Sequence, residues 1–77
     1  MRTLQVLGTG CAKCRKLARN AEAAIRDMRD SFAVQKVTDI EKIIASGVLA
    51  TPALVIDGVV RAVGKVPSVD EIKAMLR

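Results

Sequence analysis

The fold of this 77-residue chain is decided by the stretch GTGCAKC, residues 8–14. Its two glycines indicate a tight turn, and the alternating residues 3–6 before it predict a short β-strand. After Cys14, apolar residues recur at spacings of three and four as far as Met28, which predicts a long amphipathic helix. The only two cysteines of the chain therefore lie where the loop after a strand enters the first turn of a helix.

A second strand and a short second helix are predicted next. Residues 32–37 alternate weakly between apolar and polar side chains, as a strand does. Thr38 followed by Glu41 has the pattern of a capping box, and Gly47 suits a left-handed cap at the end of the helix. The apolar stripe that we expect this helix to bury consists of three isoleucines, Ile40, Ile43 and Ile44.

The last third of the chain predicts a β-hairpin and a third helix. Residues 53–56 and 59–63 flank an Asp-Gly dipeptide at 57–58, which favours a two-residue turn because both residues tolerate a positive φ. Ser68 with Glu71 repeats the capping-box pattern before a helical apolar spacing. The predicted order is β-α-β-α-β-β-α, an α/β fold. We expect a right-handed parallel crossover first, a four-stranded mixed sheet, and helices on both of its faces.

Composition limits both the architecture and the range of functions. The chain has about half the length of a typical domain, so we expect residues 1–77 to form one domain. The formal net charge is +5, but a single aromatic residue cannot provide the rings on which single-stranded bases stack. Four cations crowd beside the cysteines, and a solvated helix face explains them without nucleic acid: they are Lys13, Arg15, Lys16 and Arg19.

Membrane insertion and secretion are not indicated either. No apolar run approaches the roughly 18 to 20 residues of a membrane span, and residues 1–10 lack the pattern of a secretion signal. We therefore expect a cytoplasmic monomer that binds neither nucleic acid nor membrane.

The spacing of the cysteines predicts redox chemistry. Three positions apart on one helical turn, the two thiols are close enough for a disulfide to open and close. The unpaired N–H groups and positive dipole at the helix start favour a thiolate at Cys11, and the cations Lys13, Arg15 and Lys16 should add to this effect. Cys11 is thus expected to be the exposed, acidic thiol, and Cys14 the less accessible one that attacks a mixed disulfide.

Two other interpretations of the cysteine pair stay open. A structural disulfide is one, although so short a loop constrains the unfolded chain little. A soft-metal chaperone is the other, because two thiolates can hold an ion such as Cu(I). A tetrahedral zinc site needs four ligands, and a chain with two cysteines and no histidine is short of the usual donors, so we expect no resident metal. Metal chaperones of this length also have a methionine where Thr9 stands, and a hairpin after the first helix.

A second feature of interest is the pair Thr51-Pro52, just before the third strand. The order of elements brings this loop to the edge of the sheet that carries Cys11. We expect Pro52 to be cis, although only about 5 to 6% of X–Pro bonds in folded proteins are. The backbone groups of Ala50 and Thr51 should then face an extended substrate segment and pair with it by main-chain hydrogen bonds.

Together these features resemble the thioredoxin/glutaredoxin superfamily, in particular its small thioredoxin-like branch of redox-active disulfide proteins. The resemblance lies in residues 8–14, in Thr51-Pro52 and in the hairpin at 53–58, and it spans nearly the whole chain. It implies a four-stranded mixed sheet with three helices. It also implies a protein disulfide as substrate, no cofactor, and a thioredoxin reductase or low-molecular-weight thiol as electron donor.

These considerations predict a thiol–disulfide oxidoreductase that reduces protein disulfides. The predicted site residues are Cys11 as nucleophile, Cys14 as resolving thiol, Gly10, Thr51 and Pro52 for substrate binding, and Lys13 for tuning the thiolate.

Overall fold

The computed structural model describes residues 2–28 and 31–77, and its helices and strands follow the predicted order. The strands are β1 (Arg2–Leu7), β2 (Phe32–Val37), β3 (Ala53–Ile56) and β4 (Val59–Val63). The helices are α1 (Ala12–Met28), α2 (Ile40–Ala45) and α3 (Val69–Leu76). The α/β class and the predicted four-stranded mixed sheet are confirmed.

The sheet has the strand order β2-β1-β3-β4. Strand β1 pairs in parallel with β2, whereas the β1–β3 and β3–β4 pairs are antiparallel. In the β1–β3 pair, Leu7 at the end of β1 lies opposite Ala53 at the start of β3. The loop that follows β1 and the loop that precedes β3 therefore meet at the same end of the two central strands.

Apolar side chains form a separate core on each face of the sheet. The larger core joins β1 and β3 to α1 and α3, and its largest fully buried members are Leu4, Leu17, Leu54, Ile72 and Leu76. The smaller core lies under α2 and consists of Leu7, Ile43, Val48, Ala53 and Val55. Helices thus cover both faces, as predicted.

The start of α2 differs from the prediction by one residue. Its N-cap is Asp39 and not Thr38: the Asp39 carboxylate accepts a hydrogen bond from the Glu41 N–H at 3.0 Å. A carboxylate is at least as good a cap as a hydroxyl, and its negative charge is favourable at the positive end of a helix. The capping box expected between Thr38 and Glu41 is therefore replaced by a simple aspartate cap.

The predicted apolar stripe of α2 is also wrong in part. Ile43 is only 4% exposed, whereas Ile40 and Ile44 are 61% and 68% exposed. A helix of six residues is less than two turns long. Because α2 packs on the sheet without a neighbouring helix in the smaller core, only its central side chain is enclosed.

The other local signals are confirmed. Gly47 has a φ of +83° after the end of α2. Asp57 and Gly58 have φ values of +50° and +82°, as the two-residue hairpin turn requires. Ser68 and Glu71 form both hydrogen bonds of a capping box at α3. In the part of the chain that the structure describes, no helix combines the length and apolar character needed to cross a bilayer.

Candidate active site

The loop that leads from β1 to Cys11 and the loop that carries Thr51 and Pro52 meet at the end of the sheet where β1 ends and β3 begins. The Thr51-Pro52 peptide bond is cis, as predicted. Pro52 is buried and Thr51 is exposed. The Pro52 carbonyl accepts a hydrogen bond from the Gly64 N–H at 2.8 Å, which ties this loop to the end of β4.

Gly8 lies between Cys14 and Pro52 and was not among the predicted site residues. A Cβ atom built on Gly8 would be 3.9 Å from the Pro52 Cα, 3.0 Å from the Cys14 Cβ, and in overlap with the Cys14 Sγ. The Gly8 N–H also donates to the Val37 carbonyl at 3.0 Å. The Cys14 thiol therefore packs directly against the Gly8 backbone, where there is no room for a side chain. The sequence predicts a turn at Gly8, but only the distances to Cys14 show why a side chain does not fit at this position.

Gly10 has a different reason to be glycine. Its φ is +91°, and a Cβ built on it would meet no atom within 4 Å. The left-handed backbone conformation, which glycine adopts without strain, is what this turn requires. Gly10 is exposed and comes directly before Cys11.

The two cysteines differ in exposure as predicted, and both are free thiols. Cys11 is exposed and immediately precedes α1, and its carbonyl accepts the Arg15 N–H at 3.0 Å. Cys14 is only 5% exposed, and its N–H donates to the Cys11 Sγ at 3.3 Å. The sulfur of Cys11 thus occupies the place of an N-cap oxygen and satisfies one of the N–H groups left unpaired at a helix start.

This geometry shifts the ionisation of the two thiols in opposite directions. A hydrogen bond from the Cys14 thiol is the main cause that lowers the pKa of Cys11, and the N–H groups of Cys14 and Lys13 add to it. Burial is the main cause that raises the pKa of Cys14, and its hydrogen bond to the Cys11 sulfur acts in the same direction. Cys11 is therefore the thiol that ionises first. The Lys13 backbone N–H contributes to the lowered pKa of Cys11. That the Lys13 side chain also tunes the thiolate stays a prediction.

The same residues offer few ligands to a metal ion. Within residues 2–28 and 31–77, no three side chains of histidine, cysteine, aspartate or glutamate come together in a way that could hold one. A soft ion at this site would have the two cysteine sulfurs as its protein donors.

Comparison with known proteins identifies the family to which this fold belongs. A family model described as a thioredoxin domain matches residues 2–77. A thioredoxin of Methanothermobacter thermautotrophicus is 36% identical over 76 residues, which cover 99% of either chain. A thioredoxin of Methanocaldococcus jannaschii is 38% identical over 77 residues, which cover 100% of this chain and 88% of its own. Because the match extends through every strand and helix and is not confined to the cysteine motif, the chain belongs to the thioredoxin family.

Proposed function

We propose that this protein reduces disulfide bonds in other proteins, with Cys11 as the attacking thiol and Cys14 as the resolving thiol. Membership of the thioredoxin family supplies the general class, that of thiol–disulfide oxidoreductases. One observation carries the specific assignment: an exposed sulfur accepts a backbone N–H at the start of α1, three positions before a buried thiol.

The first step is the attack of the Cys11 thiolate on one sulfur of the target disulfide. A mixed disulfide forms, and the other target sulfur leaves as a thiolate that takes up a proton. The hydrogen bonds that lower the pKa of Cys11 increase its thiolate fraction near neutral pH. Burial keeps Cys14 protonated at this stage, so that it does not compete for the target.

The second step closes the protein disulfide. Cys14 loses its proton and attacks the Cys11 sulfur, which forms the Cys11–Cys14 bond and releases the remaining target sulfur. Two electrons have then passed to the target, and a thioredoxin reductase or a low-molecular-weight thiol must return them. The packing of Cys14 against Gly8 supports this role, because it holds the resolving sulfur on the same turn as Cys11.

We assign the binding of the target segment to Gly10, Thr51 and Pro52. Gly10 and Thr51 are exposed at the edge where β1 ends and β3 begins. Pro52 is buried next to Thr51 in the chain, and the hydrogen bond from the Gly64 N–H to its carbonyl holds the loop. An extended segment can pair with the exposed backbone of the loop before β3 through main-chain hydrogen bonds.

The assignment is tested by reduction of insulin disulfides with dithiothreitol as the electron source. Cys11→Ser should abolish catalysis. Cys14→Ser, reduced beforehand and freed of dithiothreitol, should form a mixed disulfide between Cys11 and the target that persists on a non-reducing gel. The two variants are matched controls, because each removes one sulfur from the same turn. Full turnover by both variants would refute the mechanism.

The order of elements favours redox chemistry over the soft-metal alternative. A chaperone of that kind has a hairpin after its first helix, whereas here α2 separates β2 from β3. Titration of the reduced protein with Cu(I) distinguishes the two functions. A tight complex that forms in a protein unable to reduce insulin would favour the chaperone.

A further inference from the structure

We propose that this protein prefers target disulfides that lie in acidic segments, and that a groove next to the cysteine turn binds the carboxylates of such a segment. The groove, which we call the cationic groove, is lined by the side chains of Arg15, Arg19 and Lys36. This inference rests on the proposed function and specifies the chemical class of its protein target.

The cationic groove lies on the β2 side of Cys11, whereas Thr51 lies on its β3 side. The groove has a volume of about 490 Å³ between α1 and the ends of β1 and β2, and its lining includes Gly10, which directly precedes Cys11. Strand β1 is between β2 and β3 in the sheet. A target segment that pairs with the backbone at Thr51 and crosses Cys11 therefore continues toward the groove.

The two arginines are within reach of such a segment. Arg15 and Arg19 follow Cys11 by four and eight positions, which corresponds to about 6 and 12 Å along the axis of α1. An extended peptide advances about 3.3 to 3.6 Å per residue. Carboxylates about two to four positions from the target cysteine can therefore reach the two guanidinium groups while the target sulfur contacts Cys11.

The cationic side chains of the groove are largely available to a partner. Arg15 and Arg19 are exposed, and among residues 2–28 and 31–77 neither side chain takes part in an ion pair. Lys36 is paired with Glu22, but at 3.7 Å and with both side chains substantially exposed. Three cations and one carboxylate give the lining a formal charge of +2.

Positive charge also exceeds negative charge around the start of α1 as a whole. Residues 8–21 contain four cations and no acid. Lys13 and Lys16, the two cations outside the groove, are exposed to solvent. The acids Asp39 and Glu41 belong to the start of α2, which packs on the opposite face of the sheet from α1. The resulting field attracts an acidic protein surface and repels a basic one.

Carboxylates of a protein are the groups that fit this lining. Guanidinium groups bind carboxylates through paired, charge-assisted hydrogen bonds. Arg15 and Arg19 are four positions apart on one helix, so their Cβ atoms are about 5 to 6 Å from each other and can serve neighbouring acidic side chains. Nucleic acid fits less well, because Phe32, the one aromatic residue, is at the start of β2 and Lys36 is near its end. No ring is therefore placed to stack a base in the groove.

The test measures the first attack on synthetic peptides that carry one cysteine as a pyridyl disulfide. One peptide has glutamates at the distances given above, and two others have glutamines or lysines in the same places. The reduced full-length protein, freed of reductant, is mixed in excess with each peptide. The Cys11 thiolate attacks the peptide sulfur, the disulfide bond breaks, and the leaving pyridine thiolate takes up a proton. The product, thiopyridone, absorbs light and so reports the rate.

The rates should depend on the charge of the peptide. Each rate is divided by that of the same peptide with 2-mercaptoethanol, which corrects for the reactivity of the peptide itself. At low ionic strength we expect wild type to react about tenfold faster with the glutamate than with the glutamine peptide, and most slowly with the lysine peptide. The preference should shrink near 1 M salt, where the Debye length is about 3 Å. Equal rates at low ionic strength would overturn the inference.

Two variants of the groove should change this preference in opposite directions. Arg15→Gln/Arg19→Gln should react more slowly with the glutamate peptide, while its rate with the glutamine peptide stays within about twofold of wild type. An equal loss with both peptides would mean that the arginines act on the Cys11 thiolate and not on the target, and would overturn the inference. Glu22→Gln removes the carboxylate paired with Lys36, so its preference for glutamates should increase.

The matched control is Arg26→Gln/Arg77→Gln, which removes the same net charge from the other end of the molecule. Arg26 is near the end of α1, and Arg77 follows Leu76, whose carbonyl accepts a hydrogen bond from Arg2 at the start of β1. Both replaced arginines are exposed and absent from the lining of the groove. This variant should keep the preference. An equal loss in both double variants would overturn the inference, since net charge alone would then explain the rates.

A short DNA duplex tests whether the groove is instead a nucleic-acid site. Its binding is compared with that of the glutamate peptide, with the peptide cysteine blocked, by fluorescence anisotropy at physiological ionic strength. We expect the peptide to bind more tightly. Tighter binding of the duplex that is lost in Arg15→Gln/Arg19→Gln would overturn the inference.

Insulin reduction with dithiothreitol keeps the two proposals apart. If wild type fails in that assay, the proposed function fails. If wild type reduces insulin but reacts equally with the three peptides, only the preference for acidic targets is overturned.

Discussion

Replacement of Gly8 by alanine should destabilise the protein through one identifiable contact. Gly8 has no positive φ, so the substitution introduces no left-handed strain. Its effect comes from the new Cβ, which would overlap the Cys14 Sγ and lie 3.0 Å from the Cys14 Cβ. Non-bonded carbon atoms are most stable about 3.5 to 4.0 Å apart. The β1 end and the first turn of α1 must therefore separate by roughly 1 Å.

The expected cost follows from where this overlap occurs. Both sides of the contact are buried, and the Gly8 N–H is held by the Val37 carbonyl at 3.0 Å. Overpacking of a well-packed interior costs typically about 1 to 3 kcal/mol. Because a movement of Gly8 also strains its hydrogen bond, we expect Gly8→Ala to lower the free energy of unfolding by about 2 to 3 kcal/mol.

Urea denaturation of the reduced protein measures this loss, and a double-mutant cycle tests its cause. Cys14→Ala removes the overlapping sulfur, so Gly8→Ala should cost at least about 1 kcal/mol less in that background than in wild type. Gly10→Ala is the contrasting control, because its Cβ has open space and its cost arises from the positive φ alone. An unchanged urea midpoint for Gly8→Ala, or strict additivity with Cys14→Ala, would refute the steric explanation.

Further predictions concern ionisation, packing and capping. Cys14→Ala removes the thiol that hydrogen-bonds to Cys11 and should raise the pKa of Cys11 toward the ordinary value of about 8.5, whereas Cys14→Ser retains a donor. Thiolate absorbance against pH measures both variants, and equal pKa values would contradict this explanation. In the Cys14→Ser background, where the serine hydroxyl replaces the thiol donor, folding should still lower the pKa of Cys11. Its thiolate should therefore stabilise the fold fully above the ordinary thiol pKa, and this contribution should disappear as pH falls through the lowered pKa. The free energy of unfolding of Cys14→Ser, measured against pH and compared with that of Cys11→Ser/Cys14→Ser, tests whether this contribution grows as pH rises. Ile43→Ala should cost about 2 to 4 kcal/mol in urea denaturation, but Ile44→Ala less than about 0.5 kcal/mol, because only the first side chain is buried. Ser68→Ala should cost about 1 kcal/mol in the same assay through loss of the α3 cap, and an unchanged midpoint would count against the capping box.

The features that were predictable from the sequence depend on residues close together in the chain. The Asp-Gly turn at 57–58 and the capping box of Ser68 with Glu71 each involve at most four consecutive residues. The contrast between Cys11 and Cys14 follows from their positions on one helical turn. The proline loop was placed near the cysteines correctly because the order of elements leaves it at the same edge of the sheet.

The predictions that failed concern α2, where local signals were ambiguous. Thr38 and Asp39 are both good N-caps, and the choice between them shifts the start of the helix by one residue. The isoleucine spacing likewise identifies an apolar side of the helix without showing how much of it is covered. Among the residues that the structure describes, the smaller core contains no second helix, so α2 encloses only Ile43.

The sequence by itself determined the order of strands and helices, their turns and caps, and the different environments of the two cysteines, because hydrogen bonds and side-chain periodicity within a few residues specify them. Only the tertiary structure decided that Gly8 contacts the Cys14 sulfur and that Lys36 joins Arg15 and Arg19 around one cavity. Those contacts depend on the distance and angle at which α1 packs on the sheet, and this geometry results from the filling of the whole core and not from any single stretch of sequence.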